Sequence, residues 1–330
     1  MWSAVFIVLI AFAVAALLVG WLARGPASRV ALDEPNDRSL HVTAVPRTGG
    51  IGLLLGAGAG WAVAGASLPW AIWGAIALLV TVSLMDDLRG LSAALRFGAH
   101  LLAAALAVAA LFSVAGHVGL IVAAVLAIGW MCNLYNFMDG SDGLAGGMAV
   151  CGFSAYAIAA WLAGNTPFAL LNLAVAAAAA GFLLHNFHPA RIFLGDTGSV
   201  TLGFLAAVFG ISGCLQRDWT WWFPLLVFSP FIVDASVTLL RRAWARAAVW
   251  RAHKDHYYQR LVQLGWGHRR TALAEYALMV ACSAAALAGL GWTASAQLAL
   301  LVTAAVVYAV LIGAIQTAWR KAGMAHQHVS

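Results

Sequence analysis

Four polar constellations interrupt an otherwise apolar chain, and each carries residue types suited to chemistry on phosphates. Asp86 and Asp87 stand side by side in Met85-Asp-Asp-Leu-Arg-Gly-Leu91, at the end of an apolar stretch. Two adjacent carboxylates at a helix C-terminus oppose the helix dipole and repel each other, so the pair calls for a nearby cation. The second constellation is Asn133-Leu-Tyr-Asn-Phe-Met-Asp139-Gly-Ser-Asp142-Gly-Leu-Ala-Gly-Gly147. Asn133, Asn136 and Asp139 recur every three residues and share a face if the helix continues that far. Gly140 and Gly143 let backbone approach a ligand closely. A plain turn with Asp142 as helix N-cap accounts for one carboxylate and leaves Asp139 and both amides unexplained.

The third constellation, Phe193-Leu-Gly-Asp196-Thr-Gly-Ser199, follows Phe187-His-Pro-Ala-Arg191 and opens another apolar stretch. It reads as a turn with capping residues, but helix N-terminal amides beside a carboxylate could also hold a phosphate and its divalent cation together. The fourth is Arg251-Ala-His253-Lys-Asp-His256-Tyr-Tyr-Gln-Arg260-Leu261, followed by Gly265-Trp-Gly-His268. It is either a basic loop lying on lipid headgroups or, with His253, His256 and Arg251, a set of donors to anionic phosphates.

The elements that must position these groups are set by composition. Hydrophobic residues make up 63% of the chain and charged residues 9%, which excludes a water-soluble globule. A bilayer core takes about 20 apolar residues per helical span. Eleven such segments are predicted, near residues 3–22, 49–67, 70–85, 97–114, 118–135, 143–163, 168–187, 197–214, 219–240, 272–290 and 296–318. Ala, Leu and Gly dominate without strand-like alternation, so the fold class is all-α: a polytopic membrane helical bundle of about eleven transmembrane helices, forming one domain over 1–330. No Lys or Arg precedes the first segment, which reads as an uncleaved span rather than a signal peptide.

With the N-terminus outside and the C-terminus cytoplasmic, 17 of the 18 Lys and Arg residues fall on the cytoplasmic side and only Arg217 lies opposite. The net charge of +6 is thus a topology signal and an attraction to membrane lipid, with no need for nucleic acid. All four constellations fall on that same side. A transporter or flippase of anionic lipid-linked sugars, the rival class, would put ionisable groups near the bilayer midplane. The four cysteines lie in or at the ends of apolar segments without metal-ligand spacing.

Together, and in this order, the four constellations resemble those of the polyprenyl-phosphate N-acetylhexosamine-1-phosphate transferases. Asp33-Glu-Pro-Asn-Asp-Arg-Ser-Leu-His41 and Pro46-Arg-Thr-Gly-Gly50 are similar to that family's first inner loop, so the resemblance spans roughly residues 1–270. The loop around His253 resembles bacterial enzymes that initiate O-antigen or similar surface polysaccharides, and it lacks the triple-His segment of the pentapeptide transferases. The resemblance implies a UDP-N-acetylhexosamine donor, undecaprenyl phosphate as acceptor, UMP as product, Mg2+ with Mn2+ able to substitute, and a bacterial inner-membrane location with a cytoplasmic active site. It leaves homodimer formation open. By the same resemblance Asp196 would hold the metal, Asp142, Gly140, Ser141 and Phe193 would shape the uridine pocket, and Asn133, Asn136 and Asp139 would organise the diphosphate. Asp86 and Asp87 would face the lipid phosphate, with His253, His256, Arg47, Arg191 and Arg251 as donors to anionic groups.

The charge partition generates a test of orientation. In a cysteine-free background, single cysteines at Ala44 or Ala252 should resist an impermeant thiol reagent in intact cells, and one at Gln216 should react. Labelling of the position-252 cysteine from outside would invert the topology.

Overall fold

The computed structural model describes residues 2–25, 31–33, 40, 44–65, 67–112, 118–247 and 253–323. Its elements are α1 (Trp2–Arg24), the strands β1 (Leu32–Asp33) and β2 (Val45–Pro46), then α2 (Gly49–Val63), α3 (Trp70–Arg89), α4 (Ala93–Leu111), α5 (Val118–Phe137), α6 (Leu144–Leu162) and α7 (Thr166–Asn186). There follow α8 (Gly195–Leu215), α9 (Trp222–Val227), α10 (Ser229–Trp244), α11 (Tyr257–Leu261), a π turn at Val262–Trp266, α12 (Gly267–Gly289) and α13 (Ala294–Lys321). Each expected segment has a helical counterpart. Among the described residues, nine helices are long and apolar enough to cross a membrane, and α2 is shorter. The molecule is an all-α polytopic membrane bundle.

Two local departures from the sequence reading have clear causes. The segment expected over 219–240 divides at Phe228, because Pro230 in the first turn of α10 has no amide to continue α9. The segment expected over 49–67 closes at Val63, and Gly65 follows in the left-handed region at φ 62°. The two-residue antiparallel ladder, Leu32 opposite Pro46 and Asp33 opposite Val45, is too short for any sequence pattern to announce.

Caps fix the helix starts. Ser92 accepts from the Leu95 amide at the head of α4, Asn165 from Phe168 at α7, and Thr293 from Ala296 at α13. Helix α8 is the centre of the bundle and is buried along most of its length, whereas α13 buries little beyond Tyr308 and Trp319. The remaining flank of α13 is apolar, with Val302, Val306 and Val310 outward, as suits a helix facing lipid.

Small residues let α2 cross the head of α8. A β-carbon on Gly50 would run into the backbone of Gly198, and the amides of Gly49 and Gly50 donate to the carbonyls of Phe193 at 2.9 Å and Leu194 at 2.8 Å. This crossing anchors the turn that carries Asp196. Gly50→Ala should therefore lower the thermal midpoint in detergent by the equivalent of about 1–3 kcal/mol, the usual cost of overpacking. Gly58→Ala on the same helix meets nothing within 4 Å and should leave the midpoint unchanged or slightly raised.

Candidate active site

The site begins where three helix ends meet. Asp87, in the last turn of α3, is 4% exposed. Its carboxylate accepts the backbone amides of Asp196 (3.3 Å) and Thr197 (3.3 Å) and the Thr197 hydroxyl (3.1 Å). Arg47 approaches the same carboxylate at 3.5 Å and donates to the Asp87 carbonyl at 2.6 Å. Asp87 is thus the N-terminal cap of α8, supplied from another helix, and the amides expected to hold a phosphate are already engaged. Gly195 has φ 72°, and a β-carbon there would strike the Arg47 carbonyl, so only glycine fits the turn.

Asp86 points elsewhere. One oxygen accepts the Leu91 amide at 2.5 Å and the other accepts Arg96 Nη1 at 3.0 Å. The same Arg96 nitrogen stands 3.5 Å from Asp196, so one guanidinium bridges carboxylates of α3 and α8. Here is the cation that the Asp-Asp pair required. Asn136, in the last turn of α5, donates to Asp196 at 2.8 Å and to the Ser199 hydroxyl at 3.1 Å.

Beside this layer lies a cavity lined by Asp139, Gly140, Ser141, Asp142, Phe193, Asp196 and Arg47, all expected site residues, together with Asp33, Asn186, Gly195 and His268. Burial pushes the Asp139 carboxyl well above the usual carboxylate range, and the neighbouring Asp196, Asp87 and Asp33 push it further. Asp142 accepts from the Ala190 amide at 3.1 Å and meets His188 Nδ1 at 2.6 Å. His268 Nδ1 lies 2.8 Å from the Ser141 hydroxyl, and its ring stacks on His188 with centroids 5.6 Å apart. Asp142 does not cap α6: Gly143, in the left-handed region, precedes that helix, and its amide donates to Asn186 at 3.0 Å.

The other expected residues lie apart from the cavity lining. Asn133 sits one turn deeper and donates to the Gly129 carbonyl at 2.7 Å. Arg191 turns to the Leu184 carbonyl at 2.9 Å. His256 is buried behind Phe137, with ring centroids 6.0 Å apart, and its Nδ1 is 3.3 Å from Asp234. Asp234 caps α11 by accepting the amides of Tyr257 (2.8 Å) and Tyr258 (2.9 Å). His253 stacks on His256 at 4.9 Å. Burial lowers its pKa to about 4, helped by His256 and Arg242, so it is neutral at pH 7 and is no cationic donor. Arg251 lies outside the described residues. Sequence reasoning assigned no role to Arg96, Asn186, His188 or His268. His268 carried a signal, a lone His in a Gly-Trp-Gly-His turn; Arg96 looked like any inner-loop charge.

A stretch of residues 69–214 matches the model of glycosyl transferase family 4. The chain is 30% identical over 264 residues to a probable undecaprenyl-phosphate N-acetylglucosaminyl 1-phosphate transferase of Bacillus subtilis (strain 168), covering 74% of each chain. The chain belongs to glycosyl transferase family 4. It is also 30% identical over 314 residues to the decaprenyl-phosphate N-acetylglucosaminephosphotransferase of Mycobacterium tuberculosis (strain ATCC 25618 / H37Rv), covering 79% of this chain and 77% of that one. A phospho-N-acetylmuramoyl-pentapeptide-transferase of Geobacillus kaustophilus is 32% identical over 149 residues, 44% of each chain. The matched stretch of this family 4 enzyme contains Asp86, Asp87, Asn136, Asp139, Asp142 and Asp196.

The donor set fits a hard cation. Among the described residues no group of three His, Cys, Asp or Glu side chains forms a ready metal cage. Mg2+ does not require one, since it commonly takes one or two carboxylates with the remaining positions filled by water and substrate phosphate. Asp196, beside Asn136 and on the same cavity wall as Asp139, offers that arrangement.

The lowered pKa of His253 generates a test with a definite sign. An unfolded His takes up a proton below about pH 6.5 and this one does so only near 4, so acidification through that window favours the unfolded state. His253→Asn should flatten the fall in thermal midpoint between pH 7 and 5 relative to the wild type. A parallel fall in both proteins would contradict the buried, neutral imidazole.

Proposed function

We propose that this family 4 enzyme transfers an N-acetylhexosamine-1-phosphate from a UDP-sugar to undecaprenyl phosphate at the cytoplasmic face of a bacterial inner membrane, releasing UMP, as the first step of a surface polysaccharide. The observation that carries the reading is the convergence of Asp86 and Asp87 from α3, Asn136 from α5 and Asp196 from α8 into one layer at helix ends, bridged by Arg96. A phosphoryl transfer needs little covalent help; it needs charge neutralised and two reactants aligned. Arg96 and Arg47 can supply part of that charge directly, and the carboxylates would supply the rest through a bound divalent cation.

In the proposed reaction an oxygen of the lipid phosphate attacks the β-phosphorus of the donor, the bond from that phosphorus to the bridging oxygen breaks, and UMP leaves with the electron pair. A phosphate monoester has a second pKa of about 6, so the nucleophile is already largely dianionic at neutral pH and needs no general base. Mg2+, when held by Asp196, would neutralise charge on the diphosphate and stabilise the departing UMP. Asn136 keeps the Asp196 carboxylate in one orientation. Asp87 has its oxygens engaged by α8 amides, Thr197 and Arg47, which favours direct displacement over a covalent intermediate on that residue. Asp142, Ser141, Gly140 and Phe193 line the neighbouring cavity and suit a nucleoside, with an aromatic ring for the base and polar groups for its edges.

The decisive assay supplies purified protein with polyprenyl phosphate, Mg2+ and a panel of UDP-sugars. Release of UMP with one or more N-acetylhexosamine donors is expected; release of UDP, or of no nucleotide, would overturn the reading. Asp196→Asn should reduce turnover on the order of a hundredfold or more, and it should weaken Mn2+ binding measured by electron paramagnetic resonance with nucleotide present. Undiminished Mn2+ affinity in that variant would move the ligand role to Asp86 or Asp139. Asp142→Asn should mainly weaken nucleotide binding.

A further inference from the structure

The loop that carries Asp139, Ser141 and Asp142 is held at both ends by tyrosine hydroxyls from a later part of the chain. At its start Phe137 closes α5, and the last carbonyls of a helix have no partner inside it. The Tyr258 hydroxyl of α11 donates to the Phe137 carbonyl at 3.1 Å. At its end Gly143 precedes α6, and the Tyr276 hydroxyl of α12 donates to the Gly143 carbonyl at 2.7 Å. The partners are 121 and 133 positions apart in the chain, so neither bond belongs to the local turn.

Both contacts are built into the packing. Tyr258 is fully buried, and a β-carbon on Gly140 would run into its hydroxyl. A β-carbon on Gly147 would likewise enter the ring of Tyr276, which lies against Phe187 with centroids 6.3 Å apart. Bulk at either glycine would displace a tyrosine from the loop. Neither tyrosine lines the cavity, whereas the loop between them supplies Asp139, Gly140, Ser141 and Asp142 to its wall.

An irregular loop has many backbone conformations, and a ligand that must order it loses affinity in doing so. Fixing the carbonyls at both ends removes much of that penalty before the ligand arrives. The two hydroxyls also give buried carbonyls the donors they require, which favours one placement of the loop over its alternatives.

We infer that Tyr258 and Tyr276 are positioning residues for the donor site, Tyr258 setting the Asp139 end of the loop and Tyr276 the Asp142 end. The inference rests on the proposed transfer for the identity of the ligand, in which Asp139 serves the diphosphate and Asp142 the nucleoside. Neither tyrosine touches the donor; each acts through a backbone carbonyl.

The test reads which end of the ligand suffers, a distinction that a merely structural tyrosine would not produce. Full-length protein in detergent is compared as wild type, Tyr258→Phe, Tyr276→Phe and Tyr257→Phe, the last a control whose ring faces Arg241 and Arg260 at 5.4 and 5.6 Å. Without nucleotide, amide hydrogen exchange over residues 138–143 should quicken about fivefold in each of the first two variants, the equivalent of one lost hydrogen bond. It should stay at the wild-type rate in the control. With Mg2+ present, Tyr276→Phe should weaken UMP and UDP binding alike, by about fivefold, whereas Tyr258→Phe should weaken UDP by about fivefold and leave UMP within about twofold. Unchanged exchange in either folded variant would overturn the tie at that end of the loop. An identical pattern of nucleotide loss in the two would overturn the division between the ends. A protein whose exchange responds as expected but which binds neither UMP nor UDP would instead overturn the proposed donor, leaving the hold of the tyrosines on the loop standing.

Discussion

The carboxylate of Asp87 ties together parts of the chain that are far apart in sequence. It accepts the first amides of α8, pairs with Arg47 from the segment before α2, and sits on the last turn of α3. A buried charge is stable only when paired and hydrogen-bonded, and this one has amide, hydroxyl and guanidinium partners at once. Because α8 is the central helix of the bundle, fixing its N-terminus fixes the position of Asp196. The crossing of α2 over Gly198 holds the same turn from the other side.

From that junction two layers follow. The first contains Asp86, Arg96, Asp196 and Asn136, where one guanidinium bridges two carboxylates at helix ends. The second is the neighbouring cavity, whose walls come from the loop after α5 and the turn before α8, joined through Asn186 and the Asp142–His188 contact. Asn186 is instructive because it accepts from the Gly143 amide and donates to the Ile192 carbonyl, so it clamps both loops to one helix end. A ligand spanning the two layers would meet a polar pocket at one end and an acidic cluster suited to a divalent cation at the other.

The long loop before α12 has a different character. His256 turns inward to Asp234 of α10, whose carboxylate caps α11, while Arg242 and Arg260 hold Asp255 below its usual range against the upward push of burial. Arg260 stacks between Tyr257 and Trp319, at 5.6 and 5.0 Å, and its Nη1 donates to Gln316 at 2.6 Å. These contacts dock the end of α13 to the rest of the bundle. Arg241, Arg242 and Arg260 are thus spent on holding helices together.

Much was legible in the sequence because lipid imposes simple rules. Apolar runs of bilayer length had to be helices, and glycines, prolines and charges marked their ends, which gave the bundle and the layer where chemistry sits. The carboxylates could be named because an acidic residue beside an apolar span is rare without cause. Their partners could not be named, since sequence spacing reports neighbours along one helix and says nothing of which helix crosses it. Asp86 and Asp87 look equivalent as a pair, yet one faces Arg96 and the other caps α8, because successive residues on a helix point about 100° apart. His256 looked like a phosphate donor by type and spacing, and packing against Phe137 and Asp234 turned it inward, with His253 stacked on its ring. Residue types and helix periodicity thus determined the architecture and the inventory of the site. The assignment of each charge to a partner was decided only by tertiary structure, because it depends on contacts between residues tens of positions apart in the chain.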